Sequence, residues 1–304
     1  ENLEKAVEYL TLAGRQALQR SANTDAISSL STAIHLLQSL PTTPERMSSE
    51  LRLQTTLRSL LIMTHGSTIP VEATYTRARA LCESMGETPQ IFQTLWGLWA
   101  FYWRRADLSQ ARELADQLLQ LADDHTDSAR SLQAHLTVGT TQYYFGDFVA
   151  SREHAEQGLE IYEPEQHRSE MFTHGQEPGV MCLCRLTWAN MHLSYLDQAL
   201  TNAQEAIALA REAAHPFTLG TSLFALTFVH QYRRERVASQ RHIEEASELS
   251  AEHGFAYMQG MATFAQGWVV FMEGNDEDGL ETMRRSADTT AARGTRIARP
   301  WLLS

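Results

Sequence analysis

The residues with the strongest claim to chemistry are two cysteines, a histidine and an acidic loop. Cys182, Cys184 and His192 carry the donor atoms of a soft-metal site. Their spacing argues against one. Two steps along a helix turn a side chain through about 200°, so the thiols point apart and read as buried free thiols. A bridge between cysteines this close would be strained. Together with Cys82 they are too few for a disulfide framework and fit a reducing cytoplasm. The run Gly274-Asn275-Asp276-Glu277-Asp278-Gly279 superficially resembles a calcium loop. With Gly279 set on that loop's invariant glycine, however, Arg285 stands where the bidentate glutamate belongs. The run reads as an acidic turn capping the next helix. The sequence holds no phosphate-loop motif, no H-E-x-x-H and no G-x-S-x-G. Lys5 is its one lysine, which leaves no lysine for Schiff-base or nucleotide-binding roles in the rest of the chain. The twelve histidines are scattered without metal-ligand spacing. The expectation is therefore no catalytic residue, no metal and no cofactor. An enzyme would have to be assembled from Arg104, His192, His230 and the loop at 163–179.

What remains is binding chemistry, and it centres on aromatic rings. Leu95–Leu121 is the richest stretch, with Trp96, Trp99, Phe101, Tyr102 and Trp103 ahead of a polar turn at Ala106-Asp107. Leu95, Leu98, Trp99 and Tyr102 recur at i, i+3, i+4 and i+7, one face of a helix. Asp107 and Gln110 suit a capping box opening a second helix, which buries Ala111, Ala115 and Leu118. One helix hairpin cannot bury both of its apolar faces, so neighbours of the same kind are required.

They are present along the chain. Small residues open a second-helix pattern at Ala26, Ala73, Ala111, Ser151, Ala199, Ala238 and Gly279, at steps of roughly 40 residues. Four residues on come Leu30, Arg77, Ala115, Ala155, Ala203, His242 and Met283; seven on come Ala33, Ala80, Leu118, Gly158, Ala206, Glu245 and Ser286. Twelve before come Gly14, Leu61, Trp99, Gly139, Thr187, Leu226 and Gly267. Small side chains at these offsets let antiparallel helices approach closely. The pattern weakens at Arg77, His242 and Glu245, in the second and sixth hairpins. The hairpins expected are 2–37, 46–86, 89–123, 128–162, 180–213, 216–253 and 256–293, with Gly146-Asp147, Leu196-Asp197 and Gly274-Asn275-Asp276 in the turns. The fold class is all-α: a right-handed helix-hairpin solenoid of about seven hairpins of ~40 residues. Residues 1–304 form one domain, with a long, partly helical connection around 163–179 that reads as structural spacing. Acidic pairs such as Asp123-Asp124 read as solvated helix ends. The apolar pattern already running at Leu3, Ala6, Val7 and Leu10, and Pro300-Trp301-Leu302-Leu303 reading as another helix start, suggest a piece of a longer protein.

In such a solenoid the first helices line the inner side. The frame directs Trp96, Trp103, Arg104, Tyr143, Tyr144, Trp188, His192, His230, Trp268 and Phe271 inward. Trp99 and Tyr102 fall on a different, core-facing side of their helix. Rings with a few polar donors suit a groove or small-ligand pocket, and equally suit packing between hairpins. Both readings stand at this stage. A net charge of −12 weighs against nucleic acid and anionic membranes as partners, and the longest apolar run, Leu95–Trp103, is about half a membrane span.

The offsets resemble the tetratricopeptide repeat. A closer likeness rests on Ala6-Val7-Glu8-Tyr9-Leu10 with Ala13-Gly14, Arg77-Ala78-Arg79-Ala80-Leu81-Cys82, and Leu95-Trp96-Gly97-Leu98-Trp99 with Phe101-Tyr102. It continues through Glu177-Pro178-Gly179-Val180, His215-Pro216-Phe217 and Gly267-Trp268. Together these resemble the repeat tail of bacterial signalling proteins in which a class III adenylate/guanylate cyclase, or a kinase, precedes an AAA-type ATPase. The resemblance implies a cytoplasmic regulatory module that binds a protein, a peptide or its own effector domains. The alternative is a small-molecule sensor with its ligand inside the superhelix. It brings no catalytic residues with it.

Overall fold

The computed structural model describes residues 2–19, 23–65, 69–85, 90–122, 127–292 and 295–297. Pro300–Leu303, Asp123-Asp124 and the Cys82 side chain lie outside the described residues. Two compact units divide the chain, residues 1–105 and 106–304. The first contains α1 (Asn2–Gln19), α2 (Asn23–Gln38), α3 (Pro44–His65), α4 (Ile69–Met85) and α5 (Gln90–Arg104). The second opens with α6 (Leu108–Ala122), α7 (Ser128–Tyr144), α8 (Phe148–Ile161) and two short helices, α9 (Pro164–His167) and α10 (Glu170–His174). It continues with α11 (Pro178–His192), α12 (Leu196–Ala213), α13 (Pro216–Tyr232), α14 (Arg236–His253), α15 (Ala256–Met272) and α16 (Asp276–Ala292). Among the described residues there is no strand, and no helix is long and apolar enough to cross a membrane. The all-α helix-hairpin repeat expected from the spacing is the architecture observed.

Small residues set the helix spacing, as their periodicity requires. Ala26, Leu30 and Ala33 are buried, as are Ser151 and Ala155, and Ala199, Ala203 and Ala206. In the last hairpin it is backbone that approaches backbone. A Cβ on Gly279 would sit 2.6 Å from the backbone nitrogen of Phe271 and 2.8 Å from the carbonyl oxygen of Gly267. The frame needs correction in two places. Ala73 is exposed and Arg77 half-buried, while Ala78 and Leu81 are in the core. Likewise Ser239, Ile243 and Ala246 are buried where Ala238, His242 and Glu245 were expected. Both hairpins therefore follow the rule one residue later. The apparent weakening at Arg77 and His242 came from an alanine standing just ahead of the true first position. Arg77 is free to do something else: its Nε and Nη2 donate to the two carboxylate oxygens of Glu50 at 2.8 and 3.0 Å. Burial alone would raise the Glu50 carboxyl, but Arg77, Gln38 and Arg46 together hold it below the ordinary range.

The turns repeat as regularly as the helices. Ala106, Gly146, Ser194, Arg234 and Gly274 all have positive φ, from 57° to 88°. Each is followed by the residue that opens a second helix, with Asp147 accepting from the Ala150 N–H at 3.0 Å. In the fifth hairpin the turn is Ser194-Tyr195, and Leu196-Asp197 begin α12 rather than occupy the turn. Gly274 makes the turn before α16, Asn275 donates to the side chain of Asp278 at 2.7 Å, and Asp276, Glu277 and Asp278 form the first turn of that helix.

The connection at 163–179 is built into the second unit. His167 is buried and meets the hydroxyl of Ser128 at 2.8 Å and the N–H of Glu163 at 2.9 Å. Glu177 is fully buried: it accepts from the Val180 N–H at 2.7 Å and from the Tyr162 hydroxyl at 2.6 Å, and its own N–H donates to Thr218 at 3.1 Å. This cap fixes the start of α11 against α8 and α13.

In the second unit α11 packs on α7 and α13, and α13 on α15, whereas no two of the second helices α8, α12, α14 and α16 make an extensive contact with each other. First helices that touch while second helices splay apart put α7, α11, α13 and α15 on the inner side of this unit's curve.

Candidate functional site

The inner side of the second unit carries a cluster centred on α11. Its core is Arg185, 3% exposed in the middle of a helix whose other residues from Pro178 to Met191 are uncharged. Its guanidinium carbon lies 4.3 Å from the centre of the Trp188 ring and 6.0 Å from that of Tyr143 on α7. Arg185 also donates a hydrogen bond to Tyr144. No carboxylate pairs with it among the described residues, and its Nε and Nη1 meet no acceptor. The indole N–H of Trp188 is likewise buried without an acceptor.

Around this core the rings touch in sequence. The hydroxyl of Tyr143 lies 2.8 Å from Nε2 of His192. His192 stacks on Phe148 with ring centres 4.5 Å apart and meets Tyr232 edge-on at 5.8 Å. Tyr143 packs edge-on against Tyr144 at 5.1 Å. Burial lowers the His192 imidazole and pushes the Tyr143 and Tyr144 phenols up, which favours the neutral form of all three around the Arg185 guanidinium. Tyr232 is 46% exposed and forms the rim. This is cation and hydrogen-bond donor chemistry in a ring-walled setting.

Of the ten residues read as inward-facing, the structure brings together Tyr143, Tyr144, Trp188 and His192. The others lie elsewhere. Trp96, Trp103 and Arg104 belong to the first unit, where Trp99 sits 5.9 Å from Trp96 and stacks on Trp103 at 5.5 Å. Trp99 is buried while Trp96 and Trp103 are half-buried, and among the described residues the most deeply buried ring of that helix is Phe101. Arg104 lies over Trp103 at 5.4 Å and donates to the carbonyl of Ala100 at 3.0 Å. His230 is buried against Glu235 at 2.7 Å and stacks on His242, a bracket for its own turn. Trp268 packs on Ile243, Ala265 and Val269. Phe271 is half-buried on α15, where Gly279 approaches its backbone. Cys182 and Cys184 are buried free thiols, which burial pushes up, Cys184 to about 12.

Arg185, Phe148 and Tyr232 were not identified from sequence. The available signal was Arg185 itself, a single charge inside an otherwise apolar helix.

The helix-hairpin repeat places this chain, by fold, beside tetratricopeptide-like repeat proteins. A Rap protein complexed with competence and sporulation factor superposes with a TM-score of 0.67 at 13% identity, over 95% of this chain and 77% of that one. A tetratricopeptide repeat protein from Parabacteroides merdae gives 0.61 at 11% identity, over 98% of both chains. The Rap conjugation gene regulator of plasmid pLS20, in complex with the Phr* peptide, gives 0.56 at 11%, over 94% and 75%. At these identities the likeness is one of fold. No protein-family model matches the chain, and no curated protein matches it in sequence.

Proposed function

We propose that this chain is a non-catalytic regulatory module that binds a protein or peptide partner, or effector domains of its own parent protein, on the inner side of α7, α11 and α13. The observation that carries the reading is the cluster of Tyr143, Trp188, His192 and Tyr232 about Arg185. Rings and an arginine with a buried centre and an open rim have the composition of a binding hot spot. The fold likeness to repeat proteins seen with the Phr* peptide and with competence and sporulation factor supports a peptide-sized partner. The quoted strings support a bacterial, cytoplasmic parent of the cyclase–ATPase type, in which partner binding to residues 1–304 would set the output of distant domains. The charge of −12 weighs against nucleic acid and membrane as partners.

The test is a peptide-display selection on residues 1–304, with the Tyr143→Ala/Trp188→Ala chain as counter-target. The expected result is a family of sequences enriched on the parent chain and lost on the double variant while that variant still unfolds cooperatively. The same ring-walled guanidinium would also suit a small anionic metabolite. Absence of any enriched peptide, with a rise in Tm on a metabolite panel, would move the reading to a small-molecule sensor.

A further inference from the structure

We propose that Arg185 is the anchor of a subsite that takes a carboxylate of a peptide partner, a Glu or Asp side chain or a free C-terminus. The inference rests on the peptide-binding reading above and adds the chemistry of the ligand. A guanidinium removed from water is costly unless it is paired and hydrogen-bonded. Here the ring faces of Trp188 and Tyr143 offset part of that cost through cation–π attraction, and Tyr144 accepts one hydrogen bond. Two donor groups of Arg185 and the indole N–H of Trp188 are left with no acceptor. All three are donors, so what the cluster lacks is an acceptor. The unpaired positive charge makes that acceptor an anion.

Charge and shape narrow the anion further. Among the described residues Arg185 is the one cation within the ring walls, since burial favours the neutral form of Tyr143, Tyr144 and His192. A carboxylate brings a single negative charge and is neutralised by one guanidinium. A phosphate dianion would be left with excess charge against Trp188, Tyr143 and Phe148, in a protein already at −12. The exposed Tyr232 and the half-buried His192 and Phe148 flank the position where the residue bearing the carboxylate would continue into peptide. The same arrangement explains why an arginine occupies the middle of α11, where packing alone would favour an apolar residue.

The test uses residues 1–304 and affinity selection from three pools of N-acetylated heptapeptides. One pool has free C-terminal carboxylates, one has C-terminal amides with Asp and Glu allowed, and one has amides without acidic residues. The first, the second or both are expected to yield binders and the third none. Arg185→Gln is expected to weaken the selected peptides by at least about 30-fold, and Trp188→Phe, which keeps a ring but removes the N–H, by a smaller factor. A melting curve of the free chain separates this from loss of structure: Arg185→Gln is expected to leave Tm unchanged or raise it, because it removes an unpaired buried charge. Binders drawn from the neutral pool, lost with Tyr143→Ala/Trp188→Ala but indifferent to Arg185→Gln, would overturn the carboxylate subsite and leave the peptide surface standing. No binders from any pool would overturn both. A fall in Tm of several degrees in Arg185→Gln, with peptide affinity unchanged, would make Arg185 a structural residue.

Discussion

Two side-chain arrangements away from the cluster have measurable consequences. His135 and His154 face each other across α7 and α8 with Nδ1 atoms 2.9 Å apart, a bond that needs at least one neutral ring. Burial lowers both imidazoles, with each other's proximity adding at His135 and Glu153 opposing at His154. The unfolded chain therefore takes up protons near pH 6.5 that the folded chain refuses until lower pH, and stability rises with pH across that window. It is complete above about 6.5 and is lost progressively as pH falls below. Urea unfolding between pH 7.5 and 5.5 is expected to show a falling midpoint, and His154→Gln a flatter one. The Glu50–Arg77 pair makes the second case. Arg77→Ala leaves a fully buried carboxylate with only Gln38 and the more distant Arg46, and is expected to cost about 3 kcal/mol in denaturant unfolding. That pair also marks where sequence reading slipped. Arg77 looked like a flaw in the repeat because Ala73 imitates the small residue that belongs one position later. Arg185 escaped notice for a related reason: whether a mid-helix arginine points outward or is enclosed depends on rings from α7, remote in sequence.

At the scale of the element, the hairpins were legible because close helix approach demands small residues and the demand recurs every ~40 positions. Turn chemistry was legible where glycine announces it and not where it is absent. Gly146 and Gly274 take the left-handed conformation freely, but Ser194 and Arg234 hold it against a steric cost of about 1–2 kcal/mol. Replacing equivalent residues should then move stability in opposite directions. Ser194→Gly is expected to raise it and Gly146→Ala to lower it, each by about 1 kcal/mol, read from paired chemical denaturation curves. At the crossing of α15 and α16, Gly279→Ala pushes a methyl into the backbone of Phe271 and Gly267 and is expected to cost about 1–3 kcal/mol. The connection at 163–179 was expected to be spacing, and its buried His167 and Glu177 show how it serves: it docks α11 against both neighbours and so fixes the register on which Arg185, Trp188 and His192 meet Tyr143.

At the scale of the whole molecule, the repeat supplies a surface and its chemistry is concentrated at one place. Among the described residues, aromatic side chains of α7, α8, α11 and α13 gather around the buried guanidinium of Arg185, which no described carboxylate pairs. The account therefore predicts where a partner touches. Photo-crosslinking tests this most directly, using a peptide from the display selection and p-benzoylphenylalanine placed at one of two exposed positions. Tyr232 lies on the rim of the cluster, and Thr201 lies on the outer helix α12. The account predicts a peptide crosslink from Tyr232→p-benzoylphenylalanine, abolished by Arg185→Gln, and none from Thr201→p-benzoylphenylalanine. Crosslinking from position 201 with none from 232 would contradict it.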